Sequence, residues 1–289
     1  MEAAWRNNMI YIADETIERW IKEDLPFIDL TTELLGIGPQ KGKISFTARG
    51  RTVVCGSEEA SRIFAKLGIE TTFCAPSGTA LENGEKIIEG NGTADALHAA
   101  WKVCVNVLEY ACGIAERTRV IVENARSQNK DIEVVSTRKG FPGTKEIAVK
   151  AVVAGGGLPH RLGLSETVLI FDQHRGFLNK DLSEMIGHIK TRSCEKKIIA
   201  ETEDIEDAVA LVKAGLDGIQ FDKVPEKILR DHVARLRALN PSLLIIAAGG
   251  INGENAAAYA AAGVDAIATS AMYFGKPADI RACLERCEH

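Results

Sequence analysis

From residue 133 to residue 269, short apolar runs alternate with amphipathic stretches, and this alternation constrains the fold more than any other feature of the chain. The runs end near Thr137, Phe171, Glu201, Phe221, Ala248 and Thr269. Helical patterns cover 181–190, 205–213, 225–239 and 255–262. Strands joined through helices are parallel, because a chain returning in the same direction needs a crossover. Six runs are fewer than the eight strands of a closed barrel. The expected fold class is therefore α/β, an open or incomplete parallel α/β barrel, with one further strand unplaced. The motif AG(L/V)D recurs at 214–217 and 262–265 and marks a helix end followed by a strand start; two copies do not make a repeat protein.

The first part of the chain has a different texture. Asp14 is placed to cap a helix with Ile17, Trp20 and Ile21 on one face. Strands are expected at 43–48 and 52–55 around a Gly50-Arg51 turn, and at 69–74 and 86–89. A helix at 57–67 turns Ile63, Phe64 and Leu67 inward and is closed by Gly68. A long helix at 93–112, apolar at Leu97, Trp101, Val105 and Leu108, is expected to break or kink at Gly113 before a second helix runs to about 128. This gives a smaller α+β N-terminal domain at 1–112 and an α/β barrel domain at 113–275.

Charge and cysteine usage narrow the function classes. The 289 residues carry a formal net charge of −5, which argues against general nucleic-acid binding, since that needs a basic face. Local basic clusters in an acidic chain suit a small anionic substrate. No apolar run approaches the roughly 18 residues of a membrane span, and MEAAWRNN has no secretory apolar core. The seven cysteines are scattered without a CxxC, the pattern of reduced thiols in a cytoplasm. Cys283, Cys287 and His289 lack the four closely patterned ligands of a structural zinc site.

The polar residues gather where the apolar runs end. The first run leads into Arg138 and Lys139. Pro142 and Gly143 then open a helix, which Gly155, Gly156 and Gly157 stop before His160 and Arg161. Asp172 and His174 follow the second run, Glu201 and Glu203 the third, and Asp222 and Lys223 the fourth. Gly249 and Gly250 follow the fifth, ahead of Asn252, and Thr269 and Ser270 end the sixth. Singly, Arg138 is a surface cation, Asp222 a helix-capping acid and Gly249-Gly250 a tight turn. Six such ends together match the active edge of a parallel barrel. The glycines leave backbone N–H groups open to an anion such as phosphate.

The wording of this stretch resembles a known family. TRKxxPG, GGGxxHRxGL and VLIxxxH, in order, resemble the nicotinate-nucleotide pyrophosphorylases, also called quinolinate phosphoribosyltransferases. TRKGFPGTK and HRLGLSETVLIFDQHRGFL resemble the wording of the molybdenum-transport-associated ModD branch. The resemblance is weak before residue 90 and strong from 100 to 270. It extends to the acidic segment ending in Thr31-Thr32 and to a last helix, 279–287, which returns to the first domain so that 276–289 belongs with 1–112.

The resemblance implies a cytoplasmic glycosyltransferase that moves phosphoribosyl from phosphoribosyl pyrophosphate (PRPP) to quinolinate or a related ring-nitrogen acceptor, with pyrophosphate release and loss of carbon dioxide. Lys139, Glu201 and Asp222 would be the catalytic set. Glu201 and Asp222 would hold the ribose hydroxyls and Mg2+, and Gly249, Gly250, Thr269 and Ser270 the 5′-phosphate. Arg138, Lys139, His160 and Arg161 would hold the aromatic acid and the pyrophosphate. Two positions depart from the quinolinate enzymes. Their LIK lysine is Phe171 here, and the arginine of ERTALNxLxxxSGIAT is Lys102 in WKVCVNVLEYACGIAERT. Lys102 belongs to a position that reaches a neighbouring subunit, so at least a homodimer is implied. The alternative is a non-catalytic anion-binding protein in molybdenum transport or metabolism.

Overall fold

The computed structural model describes residues 10–287; the segment MEAAWRNN and His289 lie outside the described residues. In chain order, α1 (Asp14–Asp24), α2 (Leu30–Leu35), β1 (Lys41–Ala48), β2 (Thr52–Val53) and α3 (Ser57–Leu67) come first. β3 (Glu70–Cys74), β4 (Ala80–Leu81) and β5 (Lys86–Thr93) lead into the 33-residue α4 (Ala94–Arg126). Then come β6 (Glu133–Ser136), α5 (Lys145–Ala154), β7 (Val168–Ile170), α6 (Asp172–Arg175) and α7 (Leu182–Arg192). β8 (Ile198–Thr202), α8 (Ile205–Lys213), β9 (Gly218–Asp222), α9 (Glu226–Leu239), β10 (Leu244–Ala248), α10 (Ala256–Ala261) and β11 (Ala266–Thr269) continue the alternation. A 3-10 turn, Ala271–Tyr273, precedes β12 (Ile280–Arg286). The chain divides into two compact units. Among the described residues, one holds 10–119, 140–156 and 273–287; the other holds 120–139 and 157–272.

The second unit is a six-stranded sheet in the order β6-β11-β10-β9-β8-β7, with every pair parallel. It is open: β6 and β7 are its two edges. The further strand expected from the sequence is reduced to one bridge, Leu158 against Val135. The Ser136 N–H donates to the Leu158 carbonyl and the Leu158 N–H to the Val134 carbonyl, both at 2.9 Å. Pro159 follows at once and has no N–H to extend the ladder. Strands covered on both faces become continuous apolar runs, as in β11, where all four residues are buried. Val135, Leu169, Ile199, Ile246 and Ala268 pack together in the core of this sheet.

The first unit is built on an antiparallel sheet in the order β12-β1-β5-β3. β1 alternates in burial along its length, with Ile44, Phe46 and Ala48 inward, as a half-buried strand must. Several local expectations are corrected here. Residues 279–287 form no helix: β12 pairs with β1 from Gly42↔Arg286 to Ala48↔Ile280, and the open edge of β1 wins over local preference. Gly113 does not break α4, which runs on through it to Arg126. A Cβ there would lie 2.9 Å from the Ala278 nitrogen and 3.1 Å from the Pro277 Cα, so the glycine admits a neighbouring backbone. Asp14 is the first residue of α1, not its cap; Ala13 takes that place and Asp14 pairs with Arg62 at 2.5 Å. The helix after Pro142 starts only at Lys145, because Gly143 has φ +86°.

A buried charge cluster joins α5 to α3 within this unit. The Lys150 ammonium lies 2.6 Å from Glu59 and 2.9 Å from Glu58, with Lys150 and Glu59 almost wholly buried. Burial would raise the Glu58 carboxyl, but the Ser77 hydroxyl and N–H and the Lys150 ammonium outweigh it and hold it at about 2, against an ordinary 4.5. A depressed carboxyl stabilises the fold above its ordinary value, and that stability is lost as pH falls toward the depressed one. Among the described residues, no helix is long and apolar enough to cross a membrane.

Lys150→Met should cost about 3–5 kcal/mol in urea denaturation, because it strands two acids with no cation. The parent's stability should also fall by on the order of 2 kcal/mol between pH 4.5 and pH 2, after allowance for solvent screening. Glu58→Gln should flatten that part of the decline. A Lys150→Met protein as stable as the parent would contradict the assignment.

Candidate active site

All six strands of the parallel sheet end on one edge, and a cavity of ≈ 560 Å³ opens there, formed wholly within the second unit. Arg138 and Lys139 reach it from the end of β6. His160 and Arg161 come from the segment after the Leu158 bridge, and Phe171 from the end of β7. Glu201 is on β8 and Asp222 ends β9. Gly249 and Gly250 follow β10, while Thr269 and Ser270 lie at the end of β11.

Gly249 and Asp222 determine each other's position. Gly249 has φ +84°, and a Cβ on it would lie 2.5 Å from Asp222 Oδ1 and 2.6 Å from the Lys223 nitrogen. Only glycine brings the β10 turn this close to the end of β9. Gly250 also has a left-handed φ, +71°, but faces open space. The Lys223 N–H donates to the Ala248 carbonyl at 2.8 Å, which ties the two strand ends together. Thr269 braces the next turn: its hydroxyl donates to the Ile251 carbonyl at 2.6 Å and accepts the Ala271 N–H at 3.0 Å. That hydroxyl is occupied, so a ligand anion would meet Thr269 through its backbone.

Among the described residues, the two non-glycine residues with left-handed backbone are Arg161, φ +48°, and Lys223, φ +55°. Both line the cavity. Such strain costs on the order of 1–3 kcal/mol per residue and clusters where side chains must be aimed at a ligand.

The electrostatics divide the cavity lining into two kinds. Arg138, Lys139, Arg161 and Lys223 are cationic. Burial lowers the basicity of His160, and Arg161 beside it lowers it further against the opposing pull of Glu166. Its buried Nε2 and the buried Nε of Arg161 have no protein partner. Burial raises Glu201, the Gln220 amide donating at 2.5 Å opposes that, and Asp222 raises it again. Asp222 lies 3.3 Å from the exposed Lys223 ammonium. The arrangement can hold a multiply charged anion on the cations and the backbone of the glycine turns or a divalent ion on the two acids.

Not every expected residue is there. Lys102 lies exposed on α4 in the first unit, its ammonium 4.5 Å from the centroid of the Trp101 ring, and is not among the cavity residues. Asp172, His174 and Glu203 also stay out of the lining. Asp172 pairs with Arg175 at 3.7 Å, and His174 Nδ1 accepts the Phe171 N–H at 3.0 Å and stacks beside the Phe171 ring. Gln220 lines the cavity although the strand-end pattern passes over it. Its signal was present: one amide inside the apolar run GIQFD must find a partner once buried.

Family comparison decides the lineage. The model of the quinolinate phosphoribosyl transferase C-terminal domain matches residues 114–281, and that of its N-terminal domain residues 29–112. The chain belongs to the quinolinate phosphoribosyltransferase family. It is similar to the protein named "Putative pyrophosphorylase ModD" of Rhodobacter capsulatus, 38% identical over 252 residues, covering 86% of this chain and 96% of that one. The protein of the same name from Pasteurella multocida is 34% identical over 280 residues, covering 96% and 99%. The fold matches the nicotinate-nucleotide pyrophosphorylase structure from Francisella tularensis with a TM-score of 0.86 at 20% identity, covering 96% of this chain and all of that one.

Gly249→Ala and Gly250→Ala separate conformation from crowding. Each forces an alanine into a left-handed backbone and should cost about 1 kcal/mol or more in urea denaturation. Only Gly249→Ala adds a collision with Asp222 and Lys223, so it should lose clearly more stability. Equal losses would show that the close approach is not needed.

Proposed function

We propose that the protein is a phosphoribosyltransferase that transfers phosphoribosyl from PRPP to a ring nitrogen of quinolinate or a related aromatic acid and releases pyrophosphate. The observation that supports this most is the presence of Glu201 and Asp222 in the same cavity as Arg138, Lys139 and Arg161. A protein that only carries an anion gains nothing from two acids in its pocket. A sugar hydroxyl donor and a cation-escorted pyrophosphate both need them.

In this reading a bond forms between the acceptor nitrogen and ribose C1 while the bond from C1 to the pyrophosphate oxygen breaks. Positive charge grows on the sugar and negative charge on the leaving group. The protein's share is positioning and charge neutralisation. Lys139 and Arg138 face the pyrophosphate, and Arg161 with His160 holds the acceptor's carboxylate through the buried nitrogens that lack protein partners. Gly249, Gly250 and the backbone at Thr269 and Ser270 cradle the 5′-phosphate. Glu201 and Asp222 accept from the ribose hydroxyls.

The same two acids fit Mg2+, which takes few carboxylates and keeps sites for water and phosphate oxygens. Asp222 makes ionisation of Glu201 harder, a cost that a cation relieves. The ion, when bound, supplies further neutralisation at the pyrophosphate. The active unit in this proposal is a homodimer or larger, with Lys102 serving a neighbouring subunit.

Phe171 sets the acceptor. It gives the cavity a ring face where the resemblance implies a lysine. Losing one charge-assisted hydrogen bond costs about 1.5–3 kcal/mol, equivalent to roughly ten- to a hundredfold in rate. Pyrophosphate release from PRPP and magnesium should therefore be slow with quinolinate and faster with a less charged aromatic acid. Phe171→Lys combined with Lys102→Arg should raise kcat/KM for quinolinate. Fast quinolinate turnover by the parent, unchanged in the double variant, would overturn the specificity claim. Anion binding without pyrophosphate release from any acceptor would leave the non-catalytic anion-binding role.

A further inference from the structure

Lys223 lines the active-site cavity next to Asp222. Its backbone is left-handed, φ +55°, although it carries a Cβ. Such backbone is unfavourable for lysine and persists only where the surrounding structure enforces it. Two neighbours do so. The Lys223 N–H donates to the Ala248 carbonyl at 2.8 Å. Gly249 then leaves space for the lysine stem: a Cβ on Gly249 would lie 2.6 Å from Lys223 Cγ. The β10 turn is cut back at the point where the lysine passes it.

The ammonium aimed by this conformation lies 3.3 Å from Asp222 Oδ2. Glu201, the other acid, takes its hydrogen bond from the neutral Gln220 amide at 2.5 Å. Among the described residues, Lys223 is therefore the cation in ion-pair contact with the two acids. The contact is open to water: the Lys223 side chain is 73% exposed. An ion pair so exposed is weak, so the ammonium can leave Asp222 at little cost.

Charge gives that movement a direction. A divalent ion on Asp222 would meet the ammonium at close range, and like charges repel. The ion displaces Lys223. The freed ammonium finds a new counter-charge when a ligand phosphate lies at the Gly249-Gly250 turn, because the stem already passes Gly249. Lysine suits a contact that moves, being a compact charge with three donors on a flexible stem. The strained backbone fixes where the stem starts and leaves the ammonium free to choose between the two partners.

We propose that Lys223 is a mobile cation of the active site. It neutralises Asp222 while the cavity is empty, gives that carboxylate up to the divalent ion, and then contacts the substrate's phosphoryl oxygens. The role rests on the transferase reading of the cavity. It makes Lys223 a ligand-binding residue that also sets how tightly the empty site takes a divalent ion.

The test uses Lys223→Asn, which removes the charge and tolerates left-handed backbone. Lys223→Arg keeps the charge as a control. Circular dichroism confirms folding; if Lys223→Asn is not folded, Lys223→Gly replaces it, since glycine meets the same backbone without strain. Manganese is added to the full chain without substrate, and the free ion is followed by its paramagnetic resonance signal. Lys223→Asn should bind it roughly two- to tenfold more tightly than the parent, in a class that Asp222→Asn removes, and Lys223→Arg as the parent does. At saturating magnesium, calorimetry should show PRPP bound roughly three- to thirtyfold more weakly by Lys223→Asn. The opposite signs mark the role, because a merely structural lysine would weaken both affinities when lost. Manganese affinity unchanged or weakened in the folded variant, or PRPP affinity unchanged, would overturn the proposal. A parent that binds no PRPP would instead fail the transferase reading; the manganese comparison needs no substrate and still decides for or against Lys223 as the cation that guards Asp222.

Discussion

Parallel strands all end on the same edge, and the rest of this protein's chemistry depends on that constraint. Each β-strand of the second unit leaves its last polar residue beside its neighbours' last polar residues. Residues as distant in sequence as Arg138 and Ser270 therefore line one cavity. The apolar interior of each strand is dictated by burial on both faces, so polar groups can accumulate only where the strands stop. The open edges of the sheet at β6 and β7 leave that arrangement intact.

Close backbone approach then turns proximity into a defined site. Gly249 presses against Asp222 and Lys223, and Lys223 adopts a left-handed backbone beside it. Arg161 is held in the same unfavourable conformation. These are costs a fold bears where side chains must be aimed. The glycine at 113 does comparable work in the first unit, where it admits the chain before β12 onto α4.

The strand ends were legible in the sequence because a parallel sheet writes them as a polar residue after each apolar run. Arg138, Lys139, Glu201, Asp222 and Gly249 all follow from that rule. Features set by tertiary contact were not legible. The segment from 280 to 286 is a strand only because β1 offers it an open edge. Gly113 has the look of a helix breaker, and only the neighbouring backbone shows its purpose. The expected extra strand shrinks to one bridge at Leu158 because Pro159 ends the ladder. Asp172 and His174 follow the β7 run but enter a single helical turn, which turns them away from the cavity lining.

The central claim is that the acids and glycine turns of the cavity bind phosphoribosyl pyrophosphate with magnesium, whatever the acceptor is. Titration calorimetry of the parent and of Asp222→Ala with that ligand, with and without magnesium, tests it most directly. The account predicts binding by the parent that requires magnesium and is strongly weakened in Asp222→Ala. No detectable binding at millimolar ligand, or binding indifferent to both magnesium and Asp222, would contradict it.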